Sequence, residues 1–233
     1  MIVNYKQWDS DFFQLRIGRV DILDLENLLW LKAHEKELRE QYDLIYVFSP
    51  DTLDWQQKGA ALVDEKTIYV KTVTHQLSYP EVKLFDSNIP NEDLYRLALI
   101  SGEYSRYKTD QHWPIGSYER LYRRWIEQSV NGNLADAVFV YLQEHSYKGM
   151  VTLEWKNSVA DIGLVAVDKD AQRQGIGTKM IQTLENYLAE NTDVKILKVA
   201  TQWTNTKARA LYEKQGFAVE SITKIYHWWL GCE

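Results

Sequence analysis

The chain has 233 residues, 45% hydrophobic and 26% charged, with a formal net charge of -6. That length buries a substantial core as one large domain or two modest ones, and the acidic balance argues against a nucleic-acid partner, which needs a basic surface. A single cysteine, Cys232 in the C-terminal tail, rules out an intrachain disulfide and a cysteine metal cluster, which fits a reducing compartment.

The N-terminus lacks a basic region followed by an apolar run, and no stretch is apolar for long enough to span a membrane. No membrane partner is expected, and the cytoplasm is the default location. Aromatics reach 13%, with nine Trp and fifteen Tyr; such rings fill cores or wall rigid pockets.

In chain order, residues 16–22 read as a short strand and 24–41 as a helix with Leu25, Leu28, Leu29 and Leu38 among its apolar positions. Residues 42–49 (YDLIYVFS) have the apolar, β-branched density of a buried strand, which Pro50 breaks. Asp51 or Thr52 then caps a predicted helix to about Val63, and 67–73 (TIYVKTV) alternates as a strand. The stretch 74–90 is polar and irregular, a boundary or a long loop. Asn91 or Glu92 opens a helix to about 105. After the loop KTDQHWPIGS, residues 118–130 form a helix stopped by Asn131-Gly132.

Three strands follow at 137–143, 147–155 and 159–167, with turns at His145-Ser146 and Asn157-Ser158. Then come a helix at 175–190, a strand at 196–201, a helix at 206–214 stopped by Gln215-Gly216, and a strand-like end at 217–230. This order gives an α/β fold with a mixed sheet flanked by helices.

The chemistry-bearing stretch is Asp161-Ile-Gly-Leu-Val-Ala-Val-Asp-Lys-Asp-Ala-Gln172-Arg173-Gln174-Gly175-Ile176-Gly177-Thr178. It is a strand, a turn, and glycines opening a helix whose Ile176, Met180, Leu184 and Leu188 recur every four residues. Free backbone N–H groups and the helix dipole make such an N-terminus a seat for a pyrophosphate. Gly175 and Gly177 let a phosphate approach the backbone, and Arg173 adds a fork of charged donors. Neither the Walker spacing nor the Gly-x-Gly-x-x-Gly dinucleotide spacing is present. Taken alone, the turn has two readings: a phosphate seat, or glycines used for packing.

Gln172-x-x-Gly175-x-Gly177 after an apolar strand resembles the Q/R-x-x-G-x-G/A signature of the GNAT acetyltransferase superfamily. Downstream, Asn205-x-x-Ala208-x-x-Leu211-Tyr212-x-x-x-Gly216-Phe217 matches the segment that closes its site. The resemblance implies acetyl-CoA as cosubstrate. Its pyrophosphate would lie on the backbone from Gln172 through Arg173, Gln174, Gly175, Ile176 and Gly177 to Thr178. Its pantetheine arm would pair with the strand at Val165, Ala166 and Val167, near Asn205. Asn205 and Tyr212 stand two helical turns apart, on one face.

The implied reaction is direct attack of a primary amine on the thioester. Backbone N–H groups around Val165–Val167 would polarise the carbonyl, and Tyr212 would protonate the leaving thiolate. For the base, Glu154, Asp161 and His227 are open, each also readable as an ordinary strand or tail residue. The five histidines show no metal spacing, so no metal is expected.

Trp8-Asp9-Ser10-Asp11-Phe12-Phe13, Ser105-Arg106-Tyr107-x-x-Asp110, Tyr122-x-x-Trp125, Val199-Ala-Thr-Gln202-x-x-Asn205 and Tyr226-His-Trp-Trp together resemble the dTDP-fucosamine acetyltransferase family. That family acetylates dTDP-4-amino-4,6-dideoxygalactose for surface polysaccharide. The resemblance implies a nucleotide-sugar acceptor, a homodimer, and a smaller α/β domain over 1–73 ahead of a GNAT domain over 91–233.

The aromatic C-terminal strand is one candidate dimer interface. Arg106, His112 and Trp113 lie in a loop that could meet a nucleotide, or Arg106 could pair with Asp110. Tyr118, Tyr122 and Trp125 follow helical spacing and fit a core. Two other readings stand beside the sugar: a GNAT acting on a peptide N-terminus, polyamine or antibiotic, and a non-catalytic acyl-CoA binder.

Overall fold

The computed structural model describes residues 2–50, 52–53, 55 and 59–231; Cys232 lies outside them. The elements run β1 (Asn4–Tyr5), α1 (Gln7–Phe13), β2 (Ile17–Asp21), α2 (Leu25–Ala33), α3 (Glu35–Gln41), β3 (Leu44–Pro50), β4 (Ala60–Thr72) and β5 (Val82–Leu84). They continue with α4 (Glu92–Ser101), α5 (Arg106–Thr109), α6 (Ser117–Val130), β6 (Ala137–Gln143), β7 (Ser146–Lys156) and β8 (Val159–Val167). A 3-10 turn at Lys169–Ala171 leads to α7 (Ile176–Asn191), β9 (Ile196–Gln202), α8 (Thr206–Lys214) and β10 (Ala218–Trp229).

The ten strands of the described residues join one mixed sheet in the order β1-β2-β3-β10-β4-β9-β8-β7-β6-β5. The pairs β2–β3 and β8–β9 are parallel, and the others are antiparallel. The α/β class with a mixed sheet flanked by helices is what is found.

Polar caps set the helix starts. Asp24 accepts from the Asn27 N–H, Asn91 from the Leu94 N–H, and Ser105 from the Tyr107 N–H, each satisfying a donor that the first turn leaves free. The single helix predicted over 24–41 is two, because the chain leaves helical geometry at His34, whose Nδ1 lies 2.8 Å from the Trp30 carbonyl oxygen. Pro50 ends β3 from within, as its last residue. The helix predicted from Asp51 or Thr52 to Val63 falls partly outside the described residues, and 60–63 are strand. The irregular 74–90 carries the short strand β5, which pairs with β6.

The strands read as buried on both faces because both are covered. Along β6 the side chains alternate: Ala137, Phe139 and Tyr141 pack toward α7, while Val138 and Val140 pack toward α4 and α6. On α7, Ile176, Met180, Ile181, Leu184 and Leu188 bury the stripe that the sequence shows.

The C-terminal β10 lies in the middle of the sheet, paired with β3 on one side and β4 on the other. Its Tyr226, His227, Trp228 and Trp229 are buried. Its aromatic end therefore belongs to the core, which corrects the expectation of a dimer interface there.

Candidate active site

The site begins where two parallel strands part. β8 and β9 pair from Val159↔Ile196 to Ile162↔Val199 and no further. Between Val151 and Leu153 the β7–β8 register shifts by a bulge, and the Leu164 N–H donates to the Thr152 hydroxyl at 2.8 Å. A bulge bends its strand, so the end of β8 swings away from β9. Val165, Ala166 and Val167 then pair with β7 only, through Val151, Met150 and Gly149. The edge they turn toward β9 is open to an extended, amide-bearing arm.

Just beyond, Asp168 is gripped by Arg96 and by Lys148 Nζ at 3.2 Å. These bonds, with the partners' charges, hold its carboxyl below the usual carboxylate range despite partial burial, and they pin the strand end to α4.

The turn 172–178 caps this edge. Gln172 ties it down, donating from Nε2 to the Val167 carbonyl at 3.3 Å and accepting from Lys207 Nζ at 3.3 Å. Arg173 has a positive φ of 64°, and its side chain is exposed. Gln174 donates to the Asp170 carbonyl at 3.4 Å. Gly175 is the N-cap of α7 with φ 78° and supplies no side-chain cap, so the first N–H groups of the helix stay available to an anion.

Ile176 is 2% exposed and anchors the turn in the core. Gly177 works differently from Gly175: a Cβ there would stand 3.0 Å from Leu211 Cδ2, so its need is the close approach of α8. Thr178 accepts from Gln215 Nε2 at 3.5 Å, a second link to the α8 end. Gly177 thus serves packing, while the backbone at Gly175 leaves the helix N–H groups free.

Beside the parted strands lies a cleft of about 540 Å³. Gly163, Leu164 and Val165 line it from β8; Ala200, Thr201 and Gln202 from β9; Asn205, Ala208, Leu211 and Tyr212 from α8. Asn205 is the N-cap of α8, its Oδ1 accepting from the Ala208 N–H at 3.2 Å. Tyr212 is 3% exposed and packs on Tyr69 at 5.8 Å between ring centroids. Its hydroxyl makes no hydrogen bond among the described residues, and burial raises its pKa above the ordinary phenol value, so the group is protonated at neutral pH.

Sequence reasoning missed Asp64 and Lys66, which line the same cleft from β4. Asp64 Oδ1 is buried with no hydrogen-bond partner among the described residues. Burial pushes the Asp64 carboxyl up to about 6, against the pull of Arg106 and Gln202. Glu154 and Asp161 face each other across β7 and β8, exposed and outside the cleft lining. His227 is fully buried and also does not line the cleft. None of the three bases considered from sequence lines the cleft, although the charge of Asp161 is felt by Lys66.

His227 instead belongs to a buried knot: its Nδ1 lies 2.5 Å from Asp110 Oδ2, to which Trp229 Nε1 donates at 2.9 Å. The His112 N–H donates to the other carboxylate oxygen at 3.0 Å. Asp110 is thus taken, and Arg106 does not pair with it. Tyr118 and Tyr122 are core, as their spacing predicts, with Trp125 packed against them, and Tyr122 and Trp125 also line the cleft. Trp113, placed by sequence in a loop that could meet a nucleotide, is core at 7% exposure.

Among the described residues no group of three or more His, Cys, Asp or Glu gathers as a metal site, and no helix is long and apolar enough to cross a membrane.

Comparisons with known proteins agree with this geometry. Residues 88–217, more than half of the chain, match the acetyltransferase (GNAT) family. The dTDP-fucosamine acetyltransferase of Escherichia coli O6:H1 (strain CFT073) is 28% identical over 216 residues, covering 92% of each chain. The spore coat polysaccharide biosynthesis protein SpsD of Bacillus subtilis (strain 168) is 23% identical, covering 97% of this chain and 82% of that one. Among solved structures, a GCN5-related N-acetyltransferase from Sphaerobacter thermophilus superposes with a TM-score of 0.56 at 12% identity, over 97% of this chain and 74% of that chain.

Proposed function

The chain belongs to the acetyltransferase (GNAT) family, and from that premise we propose that it transfers an acetyl group from acetyl-CoA to the amine of a nucleotide-linked amino sugar, a dTDP-4-amino-4,6-dideoxyhexose. The observation that carries the proposal is the cleft beside the parted β8 and β9, walled by the phenol of Tyr212, which makes no hydrogen bond among the described residues, and by the carboxylate of Asp64, whose Oδ1 has no hydrogen-bond partner among them. The similarity to an enzyme named for dTDP-fucosamine supports the sugar.

In this reading the pyrophosphate of acetyl-CoA rests on the N–H groups from Gln172 to Thr178, and its pantetheine amides pair with the open edge at Val165, Ala166 and Val167. Asn205, already spent as a cap through Oδ1, has its Nδ2 donors for the arm. Holding thioester and amine together converts a bimolecular encounter into a local one. The acceptor enters as an ammonium and gives its proton to Asp64, directly or through water. The free amine attacks the thioester carbon, and as the C–S bond breaks Tyr212 protonates the departing thiolate. The second proton shed by the attacking nitrogen returns through water to the Tyr212 phenolate, leaving one amide, one thiol and the proton held by Asp64 for release to solvent.

Thiol release from acetyl-CoA tests the acceptor. It is followed with dTDP-4-amino-4,6-dideoxygalactose, with spermidine and with a peptide α-amine in separate reactions. The proposal expects release with the sugar alone. Release with spermidine or the peptide and none with the sugar would discard the acceptor and keep the family.

A further inference from the structure

Arg106 is the one arginine that lines the cleft, and it has no carboxylate partner among the described residues. Its guanidinium lies 4.8 Å from the centroids of both Tyr46 and Tyr107, and its Nη2 donates to the Tyr107 hydroxyl at 2.8 Å. Its Nε is closed off from solvent and lacks a partner among the described residues. Lys66 lines the same cleft and likewise makes no ion pair or hydrogen bond among the described residues; burial and the nearby Arg106 pull its ammonium pKa down.

Two cations placed close enough to disfavour each other are costly to bury without counter-charge. The only acid on the cleft wall among the described residues is Asp64, one carboxylate against two cations, and it forms no salt bridge with either. In a chain of net charge -6, this floor is locally positive.

We propose that Arg106, with Lys66 beside it, binds a phosphate oxygen of the acceptor and so selects phosphorylated amines over polycationic ones. This rests on the nucleotide-sugar reading and names the residues that enforce it. A planar guanidinium held 4.8 Å from two tyrosine ring centroids and tied to the Tyr107 hydroxyl has its fork restrained, as phosphate recognition requires. A polyamine would bring further positive charge to a site that already holds two unpaired cations.

The test uses two acceptors, dTDP-4-amino-4,6-dideoxygalactose and the methyl glycoside of the same amino sugar, which has no phosphate. Arg106→Met should raise KM for the nucleotide sugar roughly 10–100-fold, the loss expected for a charged hydrogen bond, with kcat and the acetyl-CoA KM within about threefold. Because Arg106 and Lys66 also draw the Asp64 carboxyl down, both acceptors are compared on the alkaline plateau, where Asp64 is ionised. There the glycoside's kcat/KM should fall far less than the nucleotide sugar's, and Lys66→Gln should act the same way, more weakly. Equal losses for both acceptors, or no loss for either, would overturn the proposal. If Arg106→Met does not fold, Arg106→Lys, which keeps the charge and loses the fork, is judged by the same two acceptors.

If the wild type turns over neither acceptor, the functional reading fails. The anion site is then tested by titrating dTDP into protein saturated with CoA, which occupies the donor turn. Binding that weakens at least tenfold in Arg106→Met supports the site; equal binding, or none to the wild type, overturns it.

Discussion

Tyr212 and Asp64 come from segments 148 positions apart in sequence, yet the fold sets both on one cleft wall. Replacing Tyr212 by Phe keeps the ring on Tyr69 and removes only the proton donor. Turnover should fall roughly 10²–10⁴-fold with acetyl-CoA KM nearly unchanged; wild-type turnover in initial-rate measurements would remove Tyr212 from the mechanism. Asp64 accepts a proton only when ionised, so with its carboxyl raised to about 6, kcat/KM should decline as pH falls through 6. Asp64→Asn should be slow at all pH values and lack that limb; a surviving limb would assign it to another group.

Tyr212 and Asn205 were legible because both sit in a spaced motif on one short helix. Asp64 was not, because an aspartate in Val63-Asp64-Glu65 looks solvated until Arg106 and Gln202 are folded against it. Tyr122 and Trp125 were legible as core from their helical spacing, which does not say that this part of α6 also borders an opening.

The strand-turn-helix unit β8–α7 was the most legible element. Its apolar alternation, its glycines and its four-residue stripe are all local signals, and the strands 137–143 and 159–167 fall where the sequence places them. The segment before it hid its role. Residues 74–79 look irregular because their backbone is satisfied by side chains of α7: Thr74 N–H and Oγ1 donate to Glu185 Oε1 at 3.0 and 2.9 Å, the Gln76 N–H to Asn186 at 3.1 Å, and the Tyr79 N–H to Thr183 at 3.1 Å. Glu185 also accepts from Lys71 Nζ at 2.8 Å, and its side chain is 1% exposed. Removing one member of such a buried pair strands the other. Glu185→Ala should therefore lower unfolding free energy by about 3–5 kcal/mol in urea titrations. A change below about 1 kcal/mol would show the strap to be a surface feature.

At the scale of the molecule, β10 lies between β3 and β4, so β1–β3 join the rest of the sheet through its last strand in sequence. A local pattern cannot announce such a pairing, since nothing in 218–229 marks its neighbours as 44–50 and 60–70. This placement buries His227 and pulls its pKa down to about 4. An unfolded histidine titrates near ~6.5, so the stability held above 6.5 should be lost as pH falls toward 4. Asp64 runs the opposite way: its folded pKa is raised, so its contribution is present below ~3.9 and lost as pH rises through 6.

The two slopes oppose between about 4 and 6, and in Asp64→Asn the histidine slope should stand alone, as urea unfolding at a series of pH values would show. A flat profile in that variant would mean that His227 charges without opening the core. The central claim, acetyl transfer to a nucleotide-linked amine, is tested most directly by the product itself. After incubation with acetyl-CoA and dTDP-4-amino-4,6-dideoxygalactose, nuclear magnetic resonance of the sugar should show one acetamide on the amino carbon for each thiol released. Thiol release with the sugar amine unmodified would contradict the claim.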